Sequence, residues 1–118
     1  YDLRFPVWSR RKTDFNYDLL LYVANWPERR VQAWKTLLPA RAIENQSYVV
    51  GLNRVGEDGN AMLHSGDSMV IDFKGNVMSN FESGKEKTET ISLDIQPLID
   101  FRQQFAFAQD ADEFEIKP

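Results

Sequence analysis

The segment from Asp18 to Arg54 constrains the chain most. Asp18 to Asn25 (DLLLYVAN) is apolar on both alternating rows. Leu19, Leu21 and Val23 form one row, and Leu20, Tyr22 and Ala24 the other. A strand of that kind is expected inside a sheet, covered on both faces. Trp26-Pro27 stops it, and Glu28 to Gln46 reads as the longest helix, with Glu28 in its first turn. Val31, Trp34, Leu38 and Ala42 fall on one stripe at helical spacing. Pro39 lies inside and lacks the N–H that would bond the carbonyl of Lys35, which predicts a kink. Tyr48 to Arg54 is a second strand with apolar residues on both faces. Strand, crossover helix and strand make a βαβ unit, so the two strands are expected to run parallel.

The flanks complete the reading. Residues 4–13 predict a short helix, with Pro6 in its first turn and Arg10, Arg11 and Lys12 at its C-terminal end. Val55 to Gly66 reads as a polar loop. Asp67 to Phe73 and Val77 to Phe81 predict a hairpin around Lys74-Gly75-Asn76. Thr88 to Ile95 alternates, with Ile91, Leu93 and Ile95 inward, and predicts a strand with one wet face. Gln96 to Phe105 predicts a last helix. The tail, Ala106 to Pro118, is too aromatic for a typical disordered segment and suits packing on another subunit. The fold class is therefore α/β, with a parallel layer passing into an antiparallel one and helices outside. The first parallel strand lacks a neighbour on its other side, and no strand feeds the opening helix. Both gaps are expected of a chain that begins in mid-fold.

At 118 residues the chain suffices for one domain with a real core. Its net charge of −4 argues against nucleic acid or an anionic membrane as partner. It has no cysteine, which excludes disulfides, thiolate metal sites and a thiol nucleophile within these residues. The longest apolar run, Leu19 to Ala24, is too short to cross a bilayer, and the absence of a signal-peptide pattern predicts a cytoplasmic location.

Other chemical clusters are weak. Arg10-Arg11-Lys12 suits a solvated helix end better than a binding patch. His64 with Asp58 and Asp67 matches no standard metal spacing and reads as a surface histidine. Ser65 and Ser68 beside it lack a nucleophile elbow. Asp110, Asp112 and Glu113 suit a solvated or subunit-contacting tail rather than a pair of glycosidic acids. Neither a metal nor a cofactor is expected. Asn45 falls on the apolar stripe of the long helix, flanked by Arg41 and Glu44. It suits either a polar network tying the helix to nearby loops or direct substrate contact.

Several separated stretches carry a family resemblance: YDLRFPVWSR at the start, YDLLLYVANWPERRVQAWKTLLPARAIENQSYVVGLNRVG, GDSMVIDFKGNV and DADEF. Together they resemble the nitrilase, or carbon–nitrogen hydrolase, superfamily, in its omega-amidase-like branch. The resemblance implies that residues 1–118 form the C-terminal portion of a single α-β-β-α sandwich domain. It also implies a Cys–Glu–Lys site that hydrolyses a small amide, such as a 2-oxo acid monoamide, through a thioester. The cysteine would sit immediately before Tyr1, and the glutamate and lysine further upstream.

On that reading the backbone N–H of Tyr1 is an oxyanion donor. Arg4, Asn25 and Trp26 are the candidate substrate contacts. Arg4 could instead pair locally with Asp2, and Trp26 could be a core or interface aromatic. Arg4, Arg29, Arg30 and Arg54 are all possible carboxylate partners, and spacing does not choose among them. The expected partners are a small amide, the missing N-terminal half and a second copy in a homodimer. Two alternatives stand beside this reading. One is a non-catalytic assembly module. The other is a related chemistry on nitriles, carbamoyl groups or N-acyl donors.

Overall fold

The computed structural model describes residues 1–12 and 14–115. Its centre is the βαβ unit. β1 (Leu19–Ala24) pairs in parallel with β2 (Tyr48–Asn53), Leu19 opposite Tyr48 and Ala24 opposite Asn53. Between them runs α1 (Val31–Asn45), entered through a 3-10 turn over Glu28–Arg30 and continuous through Pro39. The helix ends on Gln46, whose left-handed backbone (φ 46°) lets its N–H reach the carbonyls of Ala42 and Ile43. β5 (Met69–Ile71) adds antiparallel to the far edge of β2, giving the sheet order β1-β2-β5. The mixed sheet agrees with the α/β class read from the sequence.

The predicted helical stripe of α1 is the face that packs on this sheet. Trp34, Leu38 and Ala42 are buried against Val49, Met69 and Ile71, with Leu3 and Trp26 closing the cluster. Gly51 sets the spacing. A Cβ there would lie 2.4 Å from Leu38 Cδ1 and 2.8 Å from Trp34 Cζ2, so helix and strand approach at a distance only glycine permits.

A second cluster, Tyr48, Phe73 and Leu98, joins the sheet to α2 (Ile95–Gln104). Asp94 caps α2 by accepting from Gln96 N–H at 3.0 Å. Arg102 fixes its other end, donating to the carbonyls of Gln46 and Tyr17 and pairing with Asp18 at 2.5 Å.

Several expectations are corrected. Among the described residues β1 has one strand neighbour and one covered face: Leu20, Tyr22 and Ala24 pack against the core under α1, while Leu21 and Val23 are 60% and 83% exposed. Of the helix expected over 4–13, residue 13 lies outside the described residues, and residues 4–12 form no single helix. Two 3-10 turns, Asp2–Arg4 and Pro6–Ser9, meet at Phe5. The residue before a proline is driven from helical backbone, and Phe5 has φ −115° and ψ 86°. The polar loop holds a short hairpin, β3 (Val55–Glu57) with β4 (Leu63–Ser65).

The Lys74-Gly75-Asn76 turn forms, with Asp72 accepting from the N–H groups of Lys74 and Asn76. Its second arm makes only the bridge of Ile71 to Val77, because the Ser79 hydroxyl takes the Val70 N–H. Residues 88–94 alternate between half-buried and exposed but pair with no strand. Leu93 packs against the Tyr48, Phe73 and Leu98 cluster, while Ile95, expected inward, opens α2 and is exposed.

The tail folds back on its own chain. Phe114 lies 5.6 Å from the Arg10 guanidinium and 4.5 Å from the Lys12 ammonium, so these cations flank an aromatic ring instead of ending a helix. The tail's last three residues, 116–118, lie outside the described residues. Among the described residues no helix is long and apolar enough to cross a membrane.

Candidate active site

Ligands of open α/β sheets gather beyond the carboxyl ends of the parallel strands. Here β1 and β2 end on Ala24 and Asn53, and the next residues are Asn25 and Arg54. The Asn53 side chain ties this edge together. Its Oδ1 accepts the Trp26 N–H at 2.7 Å. Its Nδ2 donates to the carbonyls of Trp26 at 3.0 Å and Gly66 at 2.9 Å. The Ser68 hydroxyl accepts the Asn53 N–H at 3.0 Å. One amide thereby holds the exit of β1 against the loop that leads into β5. Sequence reasoning passed over Asn53; the signal for it was an amide ending an apolar strand, where a buried polar group must find partners.

A cleft of about 530 Å³ opens at this edge, lined among others by Asn25, Asn53, Arg54, Asp67 and Ser68. Asp67 is buried and has a left-handed backbone (φ 51°). Burial pushes its carboxyl up, but the Lys35 ammonium at 2.6 Å and the Ser83 hydroxyl outweigh it, and the carboxyl lies below its ordinary range. Its carbonyl accepts the indole N–H of Trp34 at 2.8 Å, so α1 fixes this loop from beneath.

The opening turn is anchored separately. Leu3 is buried in the core, and its carbonyl accepts from Arg41 Nη2 at 2.6 Å. Arg41, itself buried, pairs with Glu44 at 3.0 Å. Asn45 extends the network: it accepts the Arg11 N–H at 2.8 Å and donates to the Arg41 carbonyl at 2.9 Å. Of the two readings of Asn45, the structure shows the polar network.

The four candidate site residues divide. Arg4 and Trp26 meet, the guanidinium 4.8 Å from the indole centre. Among the described residues Arg4 forms no ion pair with Asp2. Trp26 is buried in the core, 5.5 Å from Trp34, with its indole N–H on the Arg30 carbonyl. Asn25 lines the cleft, which Tyr1, Arg4 and Trp26 do not. Tyr1 is 82% exposed, its ring against Phe5 at 5.1 Å, and its carbonyl accepts the Arg4 N–H.

His64 is not the surface residue expected. It is buried in β4, its Nδ1 2.9 Å from the Met62 carbonyl. Ser68 is engaged with Asn53, so His64 and Ser68 form no triad. Asp58 bonds the N–H groups of Asn60 and Met62, which hold its carboxyl below the ordinary range. Among the described residues no three His, Cys, Asp or Glu side chains group as a metal site.

Comparisons with known proteins agree with one another. The carbon–nitrogen hydrolase family model matches residues 1–103. The omega-amidase YafV of Escherichia coli (strain K12) is 50% identical over 116 residues, 98% of this chain and 44% of that protein. The 2-oxoglutaramate amidase of Bacillus subtilis (strain 168) is 36% identical over 111 residues, 93% of this chain and 42% of that one. Among solved structures, XC1258 from Xanthomonas campestris superposes with a TM-score of 0.93 at 44% identity, over 99% of this chain and 46% of that one. XC1258 is described as a CN-hydrolase superfamily protein with an arsenic adduct in its active site. The chain thus spans less than half the length of each of these relatives.

Proposed function

This chain belongs to the carbon–nitrogen hydrolase family, and we propose that it is the C-terminal part, residues 1–118, of an omega-amidase-like enzyme. The enzyme hydrolyses the terminal amide of a small 2-oxo dicarboxylic acid monoamide and releases ammonia. Identity of 50% to an omega-amidase across nearly the whole chain carries this reading. A second named relative, the 2-oxoglutaramate amidase, supports the same substrate class.

The nucleophile is a cysteine immediately before Tyr1, with a glutamate base and a lysine in the part of the protein that precedes it. The arsenic adduct in XC1258 supports a thiol, since arsenicals are thiophilic. The thiolate attacks the amide carbon, ammonia leaves with a proton from the glutamic acid, and water hydrolyses the thioester. The Tyr1 N–H and the lysine stabilise the oxyanion; loss of one such donor costs about 10²–10³ in rate.

The residues described here support that chemistry by position. Buried Leu3 and Arg41 fix the turn that carries Tyr1. The Arg4–Trp26 stack joins that turn to the sheet edge, where Asn25 faces the cleft and contacts substrate. The open face of β1, with Leu21 and Val23, is covered by the preceding half of the protein, completing the α-β-β-α sandwich. A 19 Å-thick slab has room for one sheet and one helical layer, which supports a missing layer on that face.

The test is ammonia release from 2-oxoglutaramate. The full-length protein turns the amide over and the 118-residue chain does not. No turnover by the full-length protein, or turnover by the chain alone, refutes the reading.

A further inference from the structure

We propose that Arg54 reads the substrate carboxylate and so makes the site selective for amides that carry one. The inference rests on the amidase reading and names the residue behind its substrate class. The sequence left four arginines open, and the structure separates them. Arg4 is spread over the Trp26 indole. Arg29 and Arg30 lie on the exposed 3-10 turn before α1, outside the cleft lining. Arg54 lines the cleft, and its N–H points at the Ala24 carbonyl at 3.4 Å, which seats it beside Asn25. Arg11 and Arg102 gather around Asn45, Asp18 and Tyr17, at the opposite end of β1.

The other cations lining the cleft are already neutralised. Lys85 pairs with Glu82 at 2.5 Å, and Lys87 pairs with Glu89 at 3.3 Å and donates to the Asn80 carbonyl. Of the cleft's carboxylates, Asp67 is held by Lys35 and Glu82 by Lys85, while Glu86 also lines the wall. Among the described residues, Arg54 is the cleft cation with no carboxylate in ion-pair contact; Asp58, outside the cleft lining, feels its charge only at longer range. Its Nη2 donates to the Glu57 carbonyl at 3.2 Å, which steadies the guanidinium, and among the described residues its other side-chain N–H groups have no hydrogen-bond partner. A planar guanidinium presents paired donors that match the two oxygens of a carboxylate. The cleft holds a small dicarboxylic monoamide with room to spare.

The experiment uses the full-length protein with Arg54→Gln and Arg54→Lys variants. Steady-state rates are measured on 2-oxoglutaramate and on butyramide, which lacks the carboxylate, together with inhibition by 2-oxoglutarate. For Arg54→Gln the ratio of kcat/KM on 2-oxoglutaramate to that on butyramide falls about 10- to 100-fold, carried by KM. The inhibition constant of 2-oxoglutarate rises by a similar factor, and Arg54→Lys recovers part of both. An unchanged ratio with an unchanged inhibition constant overturns the assignment, as does a loss confined to kcat on both substrates. Absence of ammonia release by the wild type from either amide overturns the amidase reading itself, and this proposal with it.

Discussion

Replacing Asn53 with aspartate tests the logic of the sheet edge. The wild-type amide uses one acceptor and two donors on fixed backbone groups, Trp26 N–H, Trp26 C=O and Gly66 C=O, at 2.7, 3.0 and 2.9 Å. Aspartate keeps the shape and the acceptor. It removes both donors and sets a negative charge against two carbonyl oxygens. A net intramolecular hydrogen bond contributes about 0.5–1.5 kcal/mol, so two lost donors cost about 1–3 kcal/mol before repulsion is counted. Asn53 is only half-buried, so water recovers part of the charge penalty. The expected loss for Asn53→Asp is therefore about 2–3 kcal/mol, larger than for Asn53→Ala, which adds no charge. Urea unfolding of the full-length protein gives the stability, and hydrogen exchange at the Trp26 amide gives the local effect. The Trp26 amide of Asn53→Asp keeps its protection because the acceptor remains, while that of Asn53→Ala loses it. A stability change below about 0.5 kcal/mol in Asn53→Asp, or equal Trp26 protection in both variants, refutes the reasoning.

Three further outcomes follow from the packing and the titrating groups. Gly51→Ala drives a methyl into Leu38 and Trp34 and lowers stability by about 1–3 kcal/mol; adding Leu38→Val restores part of it in a double-mutant cycle. Arg41→Met keeps the buried aliphatic volume but frees the Leu3 carbonyl, so it costs about 1.5–3 kcal/mol in a thermal melt and lowers kcat more than it raises KM. The Tyr17 hydroxyl donates to the Ser9 carbonyl, and its pKa is pushed up to about 12, chiefly by burial. Its folded value exceeds its unfolded value of about 10, so the stability it adds is complete below pH 10 and disappears as pH rises toward 12. Tyr17→Phe flattens that alkaline limb in a pH series of melts; an unaltered limb contradicts the assignment.

What the sequence disclosed depended on how local each signal was. The βαβ unit was legible because both strands and the helix stripe declare themselves within short windows, and a crossover helix of that length brings the second strand in beside the first in the same direction. Residues 88–94 misled because alternation reports burial on one side, and a strand also needs a free partner edge. The opening turns misled because Pro6 fits a helix start as readily as it breaks the residue before it. Asn25 follows β1 and lines the cleft, as its place at a strand end suggested, but the proposal that favours Arg54 among four arginines draws on the ion pairs of Lys85 and Lys87, which no spacing reveals. His64 looked solvent-facing because its polar neighbours hid the β3–β4 hairpin that buries it.

The most direct measurement labels the full-length protein with a thiol-selective arsenical or acrylamide and maps the modified peptide by mass spectrometry. The account predicts one adduct, on a cysteine joined directly to Tyr1, with ammonia release from 2-oxoglutaramate abolished in proportion to labelling. Full activity after stoichiometric labelling of that position, or a different residue bonded to Tyr1 in an active protein, would contradict it.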